Sequence, residues 1–159
     1  MDMDGYSLGD LVGMTGAKRR SIQLWADAGV IQADRSTERA GTGVHRRFSR
    51  TEAIVACIIH PLADRQIAIG ELLSISGMIR TSILTSPEIY EAAIAGEGET
   101  IFAYEGHKRD KRRGKWPADA PDWIFQYTLM QRDRFAKRTT SWPDVMMAIR
   151  LETYLAGLR

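Results

Sequence analysis

The hydrophobic positions of this chain fall into short periodic runs, each with a recognisable start or stop. From Tyr6 to Met14, Leu8, Leu11 and Val12 recur at helical spacing behind a Ser7-x-x-Asp10 start of the kind that satisfies first-turn amides. Thr15-Gly16 breaks that run. A second goes from Ala17 to Ala28, with Ile22, Trp25 and Ala26 as its apolar stripe and Gly29 as its stop. The pattern predicts two short helices joined by a tight glycine-containing turn. Val30 to Phe48 behaves differently. β-Branched Val30-Ile31, two glycines between Ala40 and Gly43, and weak alternation over His45 to Phe48 predict a two-stranded hairpin with a basic tip.

Ser49-Arg50-Thr51-Glu52 is a full S-x-x-E capping box before Ala53, Ile54, Ile58 and Leu62, so a third helix is expected there, kinked or ended at Pro61. A fourth is expected over Ile69 to Ile79, and Thr81 to Pro87 reads as an interruption. Ser86-Pro87-Glu88 opens another helix that stops at Gly96. Thr100 to Tyr104 reads as a strand, His107 to Lys115 as a basic loop, and aromatic-rich Trp123 to Leu129 as either a partner strand or a buried helix. Ser141-Trp142-Pro143-Asp144 looks like a capped start, after which Met147, Leu151, Tyr154 and Leu158 predict a final amphipathic helix.

The chain has 159 residues, 44% of them hydrophobic and 26% charged, which fits one ordinary globular domain, or one small domain with an extension. No apolar stretch approaches a membrane span, and the acidic first ten residues hold no secretory h-region. The single cysteine, Cys57, excludes an intrachain disulfide framework and fits a reducing compartment. A cytoplasmic, nucleoid-associated protein is expected. A net charge of +2 is too mild to identify a nucleic-acid binder, but its distribution says more. Between Arg35 and Arg50, arginines 35, 39, 46, 47 and 50 face one acid, Glu38. Between Lys108 and Lys115, six basic residues face Asp110. Any electrostatic footprint is therefore local.

The second predicted helix opens with Lys18-Arg19-Arg20 followed by Gln23, opposite its apolar stripe. Arg can grip guanine O6 and N7 in a bidentate way, and Gln can do the same for adenine, so such a helix suits a major groove. Two short helices joined by a glycine turn form a helix-turn-helix, and a basic hairpin directly after it completes a winged plan in which the wing holds phosphates. The bland alternative is a solvated basic helix face.

The N-terminal half resembles the MerR family of winged helix-turn-helix regulators, over Tyr6 to about Arg80. Tyr6-Ser-Leu-Gly-Asp-Leu11 resembles the family's opening helix, and Thr15-Gly16-Ala-Lys-Arg-Arg20-Ser-Ile22-Gln-Leu-Trp25 its turn and recognition helix. Gly29-Val-Ile31 is similar to the exit from that helix. Val44-His-Arg-Arg-Phe-Ser49 with Thr51-Glu52 resembles the end of the wing, in a form also similar to excisionase-type domains. Gln66-Ile-Ala-Ile-Gly-Glu-Leu72 resembles the turn into the fourth helix. The resemblance implies that Arg20 is the recognition-helix arginine and Arg46 the wing arginine on the backbone. Lys18, Arg19, Gln23, Arg35, His45 and Arg47 are the flanking DNA-binding candidates. Trp25 stands where the family usually has Tyr, with a phosphate contact through the indole N–H or a core role as its two readings.

The expected fold is mainly α with short β-hairpins: a winged helix-turn-helix domain over 1–80, then an extension over 81–159. The expected function is a sequence-specific, double-stranded-DNA-binding transcriptional regulator acting as a homodimer on a palindromic site. The alternative is an excisionase-like or architectural DNA factor. For the C-terminal half three roles compete. One is an effector pocket lined by Tyr104, Trp116, Trp123, Phe125 and Tyr127. Another is dimerisation or docking on RNA polymerase or another protein. The last is extra DNA contact through Lys108 to Lys115. No cofactor is expected, and His60 and His107 lack neighbours at metal-ligand spacing. Loosely clustered Glu97, Glu99, Glu105 and His107 hint at acid–base chemistry, but no catalytic motif accompanies them, and an enzyme is not expected.

Overall fold

The computed structural model describes residues 5–38, 45–109, 117, 119–137, 143 and 145–159, and its fold is mixed α and β. The chain forms two compact units, residues 1–98 together with 151–159, and residues 99–150. The boundary expected at residue 80 lies inside a helix.

The first unit begins with strand β1 (Tyr6–Ser7) and helix α1 (Leu8–Thr15). The capping box is closed in both directions: Ser7 Oγ accepts from the Asp10 amide, and Asp10 Oδ2 accepts from the Ser7 amide. Thr15 Oγ1 donates to the Leu11 carbonyl and accepts from the Ala17 amide, and Gly16 takes a left-handed φ of 73° that ends the helix. Helix α2 (Arg19–Asp27) follows and buries Ile22 and Trp25. Trp25 is 3% exposed, which settles it as a core residue. After α2 the Val30 and Ile31 amides both bond to the Trp25 carbonyl, turning these two side chains fully inward.

The expected hairpin over Val30 to Phe48 is not built that way. Val30-Ile31 is a buried turn rather than a strand. Arg35–Glu38 is a helical turn, α3, started by Asp34, whose Oδ1 accepts from the Ser36 amide and hydroxyl. Strand β2 (Arg47–Phe48) pairs with β1 instead, Tyr6 opposite Phe48 and Ser7 opposite Arg47, and Ala33 adds one bridge to Phe48. The expected glycine-rich tip, 39–44, lies outside the described residues.

Helix α4 (Arg50–Asp64) runs through the centre of this unit, with every residue from Glu52 to Ile59 buried. Pro61 neither ends it nor bounds it; the helix continues to Asp64. Ser49 Oγ caps the Glu52 amide, but the Glu52 side chain does not return to close a capping box. It turns into the core. Helix α5 (Ile69–Thr85) continues past the interruption expected at Thr81, because Thr81 and Thr85 bond their hydroxyls back to carbonyls of the preceding turn while Ser82 and Ile83 face inward. Helix α6 (Pro87–Ala95) starts at its proline and stops at left-handed Gly96. The buried Tyr90 hydroxyl donates to Ser82 Oγ, tying α6 to α5.

Arg80, on α5, joins three segments. Its Nε and Nη2 hold the two Glu52 carboxylate oxygens at 2.7 and 2.8 Å, and Nη2 also donates to the Val30 carbonyl at 2.7 Å. Nη1 reaches Ser76 Oγ, and Glu52 Oε2 accepts from the Gln32 amide. Both side chains are withdrawn from solvent, 17% and 8% exposed.

The chain's last segment corrects the expected amphipathic helix. Val145–Arg150 is a strand, β5, and only Leu151–Tyr154 (α8) and a 3₁₀ turn over Ala156–Leu158 are helical. Leu151 and Leu155 are fully buried in the first unit, Gly157 lies close against the backbone of Met14, and Arg159 Nε donates to the Ile94 carbonyl.

The second unit is a three-stranded antiparallel sheet in the order β4-β3-β5, with β3 (Thr100–Lys108) central and β4 (Trp123–Gln131) at one edge. This assigns Trp123 to Leu129 as strand and extends the Thr100 strand through His107 and Lys108. Helix α7 (Arg132–Ala136) follows β4. Thr100 to Gly106 is buried throughout, and β5 closes the second edge of β3 and buries Ile149. A helix over these residues would leave that edge unpaired.

Two measurements check this core. Arg80→Met leaves the Glu52 carboxylate buried and uncompensated, so a loss of about 3–5 kcal/mol is expected in denaturant unfolding, largely recovered by adding Glu52→Leu. A loss below about 1 kcal/mol would show that the pair is not the tie described here. Burial also pushes the Cys57 thiol up to about 12. It should therefore resist a thiol reagent at neutral pH until the protein unfolds, whereas rapid labelling of the native protein would contradict its place inside α4.

Candidate nucleic-acid interface

Arg19, Gln23 and Asp27 are spaced four residues apart on α2 and form one stripe on its exposed side. Strand β2 returns the chain beside this stripe because its pairing with β1 carries His45 and Arg46 to the start of α1. The result is an open groove of about 720 Å³, lined by Ser7, Leu8 and Gly9, by Arg19, Gln23 and Asp27, and by His45 and Arg46. Four of the candidate residues thus meet in one place: Arg19, Gln23, His45 and Arg46.

The remaining candidates stand outside this groove. Arg20 is exposed on α2, one position around the helix from the stripe. Lys18 is the residue that caps α2, and it lines a separate groove of about 570 Å³ with Trp25, His60, Asp64 and Ile69. Arg35 is exposed at the start of α3. Arg47 is exposed and its Nη1 donates to the Gly5 carbonyl, while its backbone bonds Thr37 Oγ1 and Asp34.

Two contributors were not identified from the sequence. The first is the N-terminal turn of α1, which enters the groove with Leu8 and Gly9 at the positive end of an eight-residue helix. The Ser7 capping box marked the helix start, but nothing local says that this start faces α2. The second is Asp27. Its Oδ1 holds Arg46 Nη1 at 2.6 Å, so the expected backbone-gripping arginine carries an internal counter-ion. Asp10, close by, has its carboxyl held below the usual range, chiefly by the hydrogen bonds from Ser7.

In the second unit, the aromatics proposed to line a pocket stack along one face of the sheet. Phe102 lies on Tyr127, Tyr104 on Phe125 and Trp123 on Phe125, with ring centroids 5.7, 5.4 and 6.1 Å apart. Trp116 lies outside the described residues, as does most of the basic segment 108–115. Of the acidic group, Glu105 is buried near His107 and Gln126, while Glu99 pairs with Arg132. Among the described residues no cluster of three His, Cys, Asp or Glu side chains is placed to hold a metal ion. None of the described helices is long and apolar enough to cross a membrane.

No protein-family model matches the chain, and no curated protein matches it.

The Asp27–Arg46 pair is exposed enough that it should add little to stability. Asp27→Asn is expected to change the unfolding free energy by less than about 1 kcal/mol. A larger loss would mean that the pair holds the fold rather than orienting Arg46.

Proposed function

We propose that this protein is a sequence-specific DNA-binding transcriptional regulator. In this reading α2 enters the major groove, and the segment from Arg35 to Arg47 lies along the adjacent backbone. The protein acts as a homodimer on a palindromic site, and its α1–turn–α2 unit with the following basic segment serves as a winged helix-turn-helix.

The observation that carries the reading is the shared groove. Arg19 and Gln23 project from a helix face beside His45, Arg46 and the N-terminal turn of α1. Side chains able to read base edges and groups suited to phosphate thus lie together on one exposed surface. The resemblance of Tyr6 to Arg80 to MerR-type domains supports the same placement, with Arg20 exposed beside the stripe. A solvated basic face would have no reason to gather these groups around a helix terminus.

The reading is tested by selecting bound duplexes from fragmented source DNA with the wild-type protein and with Arg20→Ala and Arg46→Ala. A single palindromic motif upstream of genes is the expected outcome. Direct repeats beside an integration junction would point to an architectural factor, and no enrichment would overturn DNA recognition. Arg20→Ala should cost about 1–3 kcal/mol and relax preference at one base position, whereas Arg46→Ala should weaken all sequences alike and flatten the salt slope by about one unit. Because Asp27 competes with phosphate for Arg46, Asp27→Asn should tighten binding roughly three- to tenfold at low salt. Unchanged affinity in all three variants would place the contact surface elsewhere.

A further inference from the structure

Among the described residues, strand β4 is an edge without the usual protections. Natural sheet edges are kept from pairing by charges, prolines, glycine bulges or a covering element. The nine residues Trp123 to Gln131 contain no charge, no proline and no glycine, and among the described residues no second strand pairs with their outer side. Ile124 and Phe125 are 41% and 44% exposed. Phe125 is nevertheless held in place: it stacks on Tyr104 and Trp123, and its ring occupies the space that a Cβ on the facing Gly106 would need.

The hydrogen-bond phase of the strand is fixed. Arg109 donates to the Asp122 carbonyl and Arg132 to the Glu99 carbonyl, so the even-numbered residues of β4 direct their backbone groups toward β3. The odd-numbered residues, with Tyr127 at the midpoint, direct theirs outward.

We propose that β4 pairs antiparallel with β4 of a second copy of this chain, about a two-fold axis at Tyr127, to make a continuous six-stranded sheet. The register follows from the outward phase, since Tyr127 faces its own copy as a hydrogen-bonded pair. Phe125 then faces Leu129, Ile124 faces Met130, and Gln126 faces Thr128. At these central positions apolar residues meet apolar ones and polar meet polar, while at the outermost positions Trp123 faces Gln131. The strand ends supply charge complementarity. Asp122 of each copy faces Arg132 of the other, twice over, and Arg132 keeps its own Glu99 at 3.0 Å on the far side. The opposite edge fits less well, because a two-fold about Ala148 of β5 sets the charge of Arg150 against Met146, whereas the mismatched outer residues of β4, Trp123 and Gln131, are uncharged. This inference names a surface for the proposed homodimer, but it rests on the β4 edge alone and not on DNA recognition.

The test uses the full chain without DNA. Light scattering across a dilution series should give twice the 17.9 kDa of one chain, and Phe125→Lys, checked for an unchanged circular dichroism spectrum, should give a single chain. The register is read by disulfide trapping. Ile124 and Met130 form a non-hydrogen-bonded pair across the proposed axis, with Cα atoms about 4.5 Å apart, within disulfide reach. Ile124→Cys and Met130→Cys proteins, mixed under reduction to exchange subunits and then oxidised, should yield a covalent dimer. Each alone should not, because identical positions are six residues out of register, and native Cys57 is buried. A monomeric wild-type protein, a dimer that survives Phe125→Lys, or trapping absent from the mixture would each overturn the proposal. Loss of DNA binding would leave it standing and would count against the regulator reading alone.

Discussion

The first unit depends on a charge pair that can exist only when three segments are in place together. Arg80 and Glu52 lose most of their hydration, and each would be costly to bury alone. The cost is offset by four hydrogen bonds from the guanidinium and by partners on both carboxylate oxygens. Arg80 meets both Glu52 oxygens, Ser76 Oγ and the Val30 carbonyl, and Glu52 also takes the Gln32 amide. Val30 and Gln32 belong to the chain leaving α2. The pair therefore sets where α2 ends relative to α4 and α5, and through that the direction in which Arg19, Gln23 and Asp27 project. A well-packed apolar replacement can match such a pair in stability; what it lacks is the requirement that three particular backbone positions coincide.

Features that depend only on neighbours in the chain were legible. The Ser7–Asp10 box, the left-handed stops at Gly16, Gly29 and Gly96, and Pro87 at the start of α6 all require no knowledge of the tertiary fold. Glu52 illustrates the limit. Its spacing from Ser49 satisfies the capping-box pattern, yet its carboxylate has a stronger partner 28 residues away. The expected C-terminal helix failed for a related reason. Met147, Leu151, Tyr154 and Leu158 do share a helical spacing, but β3 offers Val145 to Arg150 a row of unpaired backbone groups, and periodicity carries no information about that offer. Val30-Ile31 was misread in the opposite sense: β-branched residues occur in strands, but here they fill a core beneath a turn.

The candidate interface divides along the same line. The cationic start of α2 and the basic stretch before Phe48 could be read from residue type and spacing. That Arg19, Gln23, His45 and Arg46 share one groove, while Arg20 and Lys18 stand outside it, follows from the β1–β2 pairing, which joins residues 40 and 42 positions apart. Asp27 was hidden for another reason. On a helix it reads as an ordinary surface acid, and its significance lies in being the counter-ion of an arginine on a different element.

The first unit is also discontinuous in the chain, since its last pieces, Leu151 to Arg159, arrive only after residues 99–150. On a ribosome adding about 5–20 residues per second, the seat for Leu151, Leu155 and Leu158 stays empty for roughly 3–10 s after α6 has emerged. During that interval the nascent protein has its α1 to α6 elements but lacks the residues that complete its core. The apolar surface that those leucines cover stays open for as long as they are missing, and exposed surface of that kind is what makes partly folded chains prone to aggregate.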